Sequence, residues 1–261
     1  MSSKTDKRAK EILRLLLDHG KTSVEEMTEL LSTSPASVRR DLARLEERGL
    51  VHRTHGGALL AGQAVYEPFR FDASFRVREE RFAQEKHRIA VAAAQMCLEG
   101  ETIGLTAGTT TTQVARSLRH RTDLHIITNA VNIGMDLSSS NGLDTTITGG
   151  CMRWPGAFSL IGPTAIESLD VVVIDRVFIS VCGVDAGRGA TTIEADEAAV
   201  FRAMARRSRQ VVVVSDSSKV GMVSPAVICS AVDIDVLITD DGISREAIQC
   251  FTDSGVKIVV V

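Results

Sequence analysis

The residue types best placed for chemistry lie between Ser32 and Ala58, in the run STSPASVRRDLARLEERGLVHRTHGGA. Ser34 can accept a backbone N–H at a helix start, and Pro35 suits the first helical position. Val38, Leu42 and Leu45 fall on one face at i, i+4 and i+7. Ser37, Arg40 and Arg44 then share the opposite face, with Arg39 on the flank. The helix should stop at Gly49. A short run over 50–55, carrying Arg53 and His55, leads into Gly56-Gly57. Arginines on such a face can bond guanine edges in the major groove, and a hairpin beyond them can touch backbone or minor groove. A charge run is usually only a solvated face. Here the Ser-Pro start, the arginines and the His-Gly-Gly end occur in one order, which points to a winged helix-turn-helix. Its DNA contacts would be Ser34, Ser37, Arg39, Arg40, Arg44, Arg53 and His55, and its partner double-stranded operator DNA.

A second group of residues suits an anion. Thr106-Ala107-Gly108-Thr109-Thr110-Thr111-Thr112 follows a predicted strand and precedes a predicted helix. Gly108 permits a tight turn, the threonines add hydroxyl donors, and the free N–H groups of a helix start attract phosphate. The ordinary alternative is a threonine-rich turn with a good cap. Lys219, in Asp216-Ser217-Ser218-Lys219, is one of only 7 lysines against 23 arginines, yet by itself reads as a surface lysine. Asn129, at a strand end, could be a cap or a ligand contact. Glu194, Asp196 and Glu197 could face a ligand or simply complement a helix dipole.

These groups need elements to hold them. A first helix is predicted over 7–19, closed by Gly20. Ser23 and Glu26 form a capping-box pattern that starts a short helix to Leu31. With the recognition helix and the hairpin, this makes a complete unit over 1–58. A linker is predicted over 59–75, whose aromatics (Tyr66, Phe69, Phe71, Phe75) could pack on either side or stay free. One long helix is predicted over 76–98. From Thr102 onward, short apolar strands alternate with helices, and 186–190 reads as a flexible segment. Repeated β-α units with continuous apolar strands imply a mostly parallel, Rossmann-like sheet covered on both faces. Ligands in such sheets bind beyond the carboxyl ends of the strands.

Composition narrows the classes further. The chain has 261 residues, with 44% hydrophobic but only 4% aromatic side chains. No apolar run approaches the roughly 18 residues of a membrane span, and no signal-peptide core follows the N-terminus. The five cysteines are scattered, with no CxxC, and read as small buried residues in a reducing cytosol. No metal and no cofactor is expected, and the expected location is cytoplasmic. Residues 1–57 carry a net +2 and residues 58–261 a net −5. A weakly positive head on an acidic body fits a local DNA footprint.

The 32–58 stretch resembles the signature of DeoR-family bacterial transcription regulators, close to SxxTIRRDLxxLExxGxLxRxHGGA, with Ser37 where the family usually has threonine. Residues 79–240 resemble that family's effector domain, which is related to ribose-5-phosphate isomerase. The matching points are Glu85-Lys86, the Gly108-Thr-Thr loop, Thr128-Asn129, Gly149-Gly150 and Asp216-Ser-Ser-Lys219. The resemblance implies domains at 1–58 and 76–261 and a phosphorylated sugar or polyol as effector. Its phosphate would lie on Gly108, Thr109, Thr110, Thr111 and Thr112. Lys219 would share that pocket, and Lys86 would reach it. Asp185 and one carboxylate of the 194–197 group, Glu197, would approach the sugar hydroxyls, with Asn129 nearby. Thr106 stands where many relatives carry aspartate. The implied function is a repressor of carbohydrate-metabolism genes. A homodimer or homotetramer is expected because a winged helix rarely achieves useful specificity alone. The alternative is a sugar-phosphate isomerase with an accessory DNA-binding head. Against it, the isomerases' Asp-Gly-Ala-Asp-Glu loop becomes Cys182-Gly183-Val184-Asp185-Ala186. Their Lys-Gly-Gly-Gly run becomes Gly189-Ala190-Thr191-Thr192.

Overall fold

The computed structural model describes residues 8–9, 11–13, 15–16, 21–47, 51–54, 56–60, 73–153 and 158–261. The chain forms two compact units, Met1–Phe71 and Asp72–Val261. His55, the ends of the predicted 7–19 helix with Gly20, Gly49, and the aromatics Tyr66, Phe69 and Phe71 lie outside the described residues.

In the first unit, residues 8–9, 11–13 and 15–16 are helical and bury Ile12 and Leu16. The Ser23–Glu26 capping box forms as predicted: Glu26 N donates to Ser23 Oγ at 3.1 Å, and Ser23 N donates to Glu26 Oε2 at 2.8 Å. It starts α1 (Val24–Leu30). Helix α2 (Pro35–Glu47) buries Val38, Leu42 and Leu45 against Ile12, Leu16, Val24 and Met27. Burial of each such side chain stabilises by about 1.5–3 kcal/mol. Strands β1 (Thr22–Ser23), β2 (Val51–Thr54) and β3 (Gly57–Leu60) make an antiparallel sheet ordered β1-β3-β2. The glycine pair explains this wing. Gly56 takes φ +84°, and a Cβ on Gly57 would stand 2.4 Å from the Thr22 carbonyl oxygen, so β1 could not close on β3. The second wing strand runs to Leu60, past the start expected for the linker, and Leu59 is buried.

Asp41 is a finding that helical periodicity did not supply. It is 2% exposed on α2, and its Oδ2 accepts from Arg8 Nε at 2.5 Å. The pair ties the first helical segment to α2. Asp41→Ala is expected to destabilise the N-terminal unit by about 1–3 kcal/mol. Truncation leaves the guanidinium without its partner, but Arg8 keeps some access to water. Chemical denaturation read by a probe in residues 1–60 checks this; an unchanged midpoint would remove the pair's structural role.

The second unit is built on a parallel sheet ordered β15-β14-β12-β9-β4-β5-β6. Its strands are β4 (Thr102–Leu105), β5 (Leu124–Thr128), β6 (Leu143–Ile147), β9 (Ile174–Ser180), β12 (Ser208–Val214), β14 (Val236–Thr239) and β15 (Lys257–Val260). The central strands β9 and β12 carry polar residues in their first halves and apolar runs after them, and Val177–Ile179, Val212–Val214 and Leu237–Ile238 are fully buried. That run of consecutive buried residues follows from helices covering both faces. Helix α4 (Ala83–Gln95) packs on α5 (Thr109–Leu118), and α8 (Ala195–Arg206) packs on β9 and β12. Helices α6 (Val131–Leu137), α7 (Pro163–Glu167) and α9 (Arg245–Asp253) complete the set among the described residues. No helix among them is long and apolar enough to cross a membrane.

Three expectations are corrected. The predicted 76–98 helix is two helices, α3 (Ala73–Glu80) and α4, broken at Arg81-Phe82. Phe82 takes the left-handed conformation, φ +56°, which costs a non-glycine residue about 1–2 kcal/mol. The break is held by the Lys86 ammonium, which donates to the carbonyls of Arg81 (2.6 Å) and Arg78, capping α3. Secondly, the 186–190 segment is not a flexible loop. It is the turn and first strand residues of a hairpin, β10 (Gly183–Asp185) and β11 (Gly189–Thr192), joined by β13 (Ala226–Cys229) in a small antiparallel sheet. A further hairpin pairs β7 (Cys151–Arg153) with β8 (Ser159–Ile161). Thirdly, not every cysteine is buried. Cys97 and Cys229 are, and burial pushes both thiols up to about 11; Cys151 and Cys250 are exposed and Cys182 is half-buried.

Candidate functional site

On α2, Arg39, Arg40 and Arg44 are all exposed, opposite the buried Val38, Leu42 and Leu45. Ser34 and Ser37 share a hydroxyl contact of 3.0 Å, and Ser37 N donates to Ser34 Oγ at 3.3 Å. The helix start is thus fixed by its own side chains, leaving the arginine face presented. Arg53 is exposed on β2, with its backbone N–H bonded to Glu46 Oε1 at 3.0 Å, so the wing is tied to the helix end.

In the second unit, β4 is followed in the chain by β5 and β6 on one side, and β9 by β12, β14 and β15 on the other. The chain therefore reverses its direction of sheet growth between β4 and β9. Such a point leaves a crevice beyond the carboxyl ends of the strands. A cavity of about 610 Å³ lies there. Its wall includes Gly108 and Thr109 at the start of α5, and Ser180, Val181 and Cys182 after β9. Asp216, Ser218 and Lys219 come from the turn after β12, Lys86 from α4, Arg153 from β7, Glu194 from the cap position before α8, and Glu197 from α8. Phe75, Arg78, Arg81 and Phe82 come from the α3–α4 break.

Gly108 is required by close packing: a Cβ there would stand 2.3 Å from Ser180 Oγ and 2.4 Å from Ser180 Cβ. The first N–H groups of α5 follow it, and such groups have no partner within their own helix. Lys219 Nζ donates to Val181 O at 2.9 Å and lies 3.8 Å from Asp216 Oδ2. Lys86 is 3% exposed. Burial, reinforced by the Lys219 charge, lowers its pKa to about 8; Arg78 acts in the same direction, while Asp216 and Glu79 oppose it. In the folded state the amine gives up its proton earlier than in the unfolded chain. The cost of burying the charge is therefore present below pH 8 and relieved as pH rises toward about 10.4.

Thr106, Thr110, Thr111, Thr112, Asn129 and Asp185, also singled out from the sequence, do not line this cavity, and all but Thr110 bond their side chains to the framework. Thr106 Oγ1 accepts from Ser180 N at 3.0 Å, joining the ends of β4 and β9. Thr111 and Thr112 turn their hydroxyls back to Gly108 O, at 3.1 and 2.7 Å, and Asn132 Nδ2 donates to Thr112 at 2.9 Å. Thr110 Oγ1 is buried without a protein partner. The loop therefore offers an anion its backbone donors rather than a row of hydroxyls, because helical threonines bond readily to the preceding turn. Asn129 Oδ1 accepts from Ala107 N (2.9 Å) and Nδ2 donates to Leu160 O (3.2 Å), so it serves as a brace. Asp185 accepts from Gly187 N and Arg188 N, at 2.9 and 3.0 Å, and closes its own hairpin turn. Conversely, Arg78, Arg81 and Arg153 reach the cavity without having been selected from the sequence. Gly149-Gly150 just before Arg153 was the only local signal.

An arginine-faced recognition helix with a wing, and a separate α/β unit with a cation-bearing cavity, define a DNA-binding regulator with a sensor domain. The DeoR-like helix-turn-helix domain matches residues 8–64 and the DeoR C-terminal sensor domain matches residues 81–241, and the chain belongs to the DeoR family of transcriptional regulators. It is 34% identical over 261 residues to the transcriptional repressor AccR of Agrobacterium fabrum, covering 100% of this chain and 98% of that one. It is 32% identical over 259 residues to the HTH-type transcriptional repressor GlcR of Bacillus subtilis, covering 98% and 96%. A ribose 5-phosphate isomerase structure from Plasmodium falciparum aligns with 56% of this chain and 53% of its own, at TM-score 0.39 and 15% identity. That likeness is too slight to bear on function.

Proposed function

We propose that this regulator is a repressor of carbohydrate-metabolism genes that binds double-stranded operator DNA through Ser34, Ser37, Arg39, Arg40, Arg44 and Arg53, as a homodimer or homotetramer. A phosphorylated sugar or polyol occupies the cavity and alters operator affinity. The observation that carries the effector class is that Lys86, Lys219 and the start of α5 line one cavity at the β4/β9 reversal, with the two lysines close enough to repel. Two ammonium groups and a helix N-terminus make a site for a dianion on an otherwise acidic body. A thermal-shift screen against phosphorylated sugars and polyols tests it. Ligand at 100 times its Kd should add about 2.7 kcal/mol. A flat response across the panel would remove the sensor assignment.

The protein acts by binding rather than by turnover. Isomerisation through an enediol needs a carboxylate base within reach of the substrate. Asp185 is spent on its own turn, and Glu197 is held by Ser159 Oγ (2.7 Å) and Arg153. Pentose and hexose phosphates should show no isomerase rate above background. A sustained rate abolished by Glu197→Gln would overturn this.

Effector binding should weaken as pH rises through about 8, because Lys86 then loses the charge that an anion needs. A phosphate monoester is already a dianion above pH 7, so the loss lies on the protein. Proton uptake on binding at pH 8, seen as a buffer-dependent calorimetric heat, is the signature; affinity that is flat from pH 7 to 9 would exclude Lys86 from the anion site.

A further inference from the structure

The cavity holds a second set of charges, on other elements than the two lysines: Arg153 on β7, with Glu194 and Glu197 at the start of α8. Arg153 Nη2 lies 2.7 Å from Glu194 Oε1 and its Nη1 lies 3.1 Å from Glu197 Oε2. Glu197 Oε1 accepts from Ser159 Oγ at 2.7 Å, and Ser159 is fully buried, so this carboxylate is fixed. All three charged residues line the cavity. One guanidinium therefore faces two carboxylates, and the group is net negative.

This group treats two kinds of sugar phosphate differently. A ligand carboxylate arriving beside Arg153 finds both Nη atoms engaged and two like charges next to it. Two of the five guanidinium donors are taken, and a fork-shaped contact, the usual way arginine takes a carboxylate, would bring the ligand's charge against both glutamates. A ligand hydroxyl finds acceptors instead: an ionised carboxylate has about four lone-pair sites, and the contacts above use two on Glu197 and one on Glu194. Like-charge juxtaposition discriminates strongly between partners. We propose that Glu194, Glu197 and Arg153 set the effector's class, admitting phosphorylated sugars whose far end carries hydroxyls and rejecting phosphorylated sugar acids. This rests on the reading of the cavity as the sugar-phosphate site.

Calorimetric titration of the full-length protein with ribose, glucose and galactose phosphates, each paired with its phosphorylated aldonic acid, tests the inference. The wild-type protein should bind the sugar phosphate of a recognised pair at least tenfold more tightly than the acid. Glu194→Gln should narrow that ratio severalfold, since it removes one of the two like charges beside Arg153 and leaves only an amide oxygen on that Nη. The Glu194→Gln/Glu197→Gln double variant should reverse the preference, with Arg153 then taking the acid. If the double variant does not fold, the Glu194→Gln ratio decides, because Glu194 is half exposed. Equal affinity within pairs for the wild type, or a folded variant that keeps the wild-type ratio, overturns the inference and leaves the cavity assignment standing. Failure of every pair to bind the wild type overturns both.

Discussion

Arg40→Ala is expected to lose specific operator binding by about 1–3 kcal/mol, roughly 5- to 150-fold, with the protein still folded. Arg40 is exposed near the start of α2, two positions beyond the buried Val38. Residues at the start of a recognition helix are those that reach base edges. Its removal takes away no buried contact, so melting should be unchanged. Arg53 sits on the wing, where contact with phosphate is the simpler outcome. Arg53→Ala should weaken all sequences about equally and reduce the salt slope by about one. Operator and scrambled-site affinities, measured across salt concentrations, separate the two roles. Unchanged operator affinity in Arg40→Ala would displace α2 from the major groove.

The second large effect is expected in the sensor. Lys86→Met should bind operator normally without effector but need at least thirty-fold more sugar phosphate to respond. Lys86 carries two duties: its ammonium caps α3 through the Arg78 and Arg81 carbonyls, and the same group lines the cavity. An anion drawing on that ammonium competes with the cap. Effector binding then bears on α3, the first described element of this unit in chain order. A ligand shifts an equilibrium only through its different affinity for the two states, and the cap supplies such a difference. Gly108→Ala should give a similar loss, because its Cβ would collide with Ser180 and push the loop out of register. Thr110→Val is the control. Its hydroxyl is buried without a protein partner, so the substitution should leave the response unchanged and stability equal or slightly higher. Effector titrations of operator complexes check all three. A wild-type curve for both Lys86→Met and Gly108→Ala would rule out this cavity. Hydrogen exchange over 73–82 that is indifferent to effector would rule out the cap as the coupling element.

The features that could be read from sequence are those whose causes are local. The Ser23–Glu26 box, the Pro35 start, the Val38/Leu42/Leu45 face and the Gly56-Gly57 turn each act within a few residues, so their spacing suffices. The β-α alternation is equally local, since the part of a strand buried on both faces must be a continuous apolar run. What the tertiary structure decided depends on groups far apart in the chain. Asp41 is buried because Arg8, 33 positions earlier, neutralises it. Arg153 is a cavity residue because hairpin and helix bring it to Glu194 and Glu197, more than 40 positions later. Residues 183–192 pair into a sheet because β13 arrives alongside. The 76–98 run contains neither glycine before its end nor proline, and nothing in its periodicity marks a break. The break at Phe82 is stable only because a lysine four residues on turns back to cap it while buried in the cavity. The sequence by itself determined the DNA-binding unit's helices and wing, the β-α alternation and which residue types are available to bind. Whether a threonine, asparagine or aspartate faces ligand or framework was decided by which backbone groups folding left within its reach, since a buried polar group must be paired wherever a partner stands.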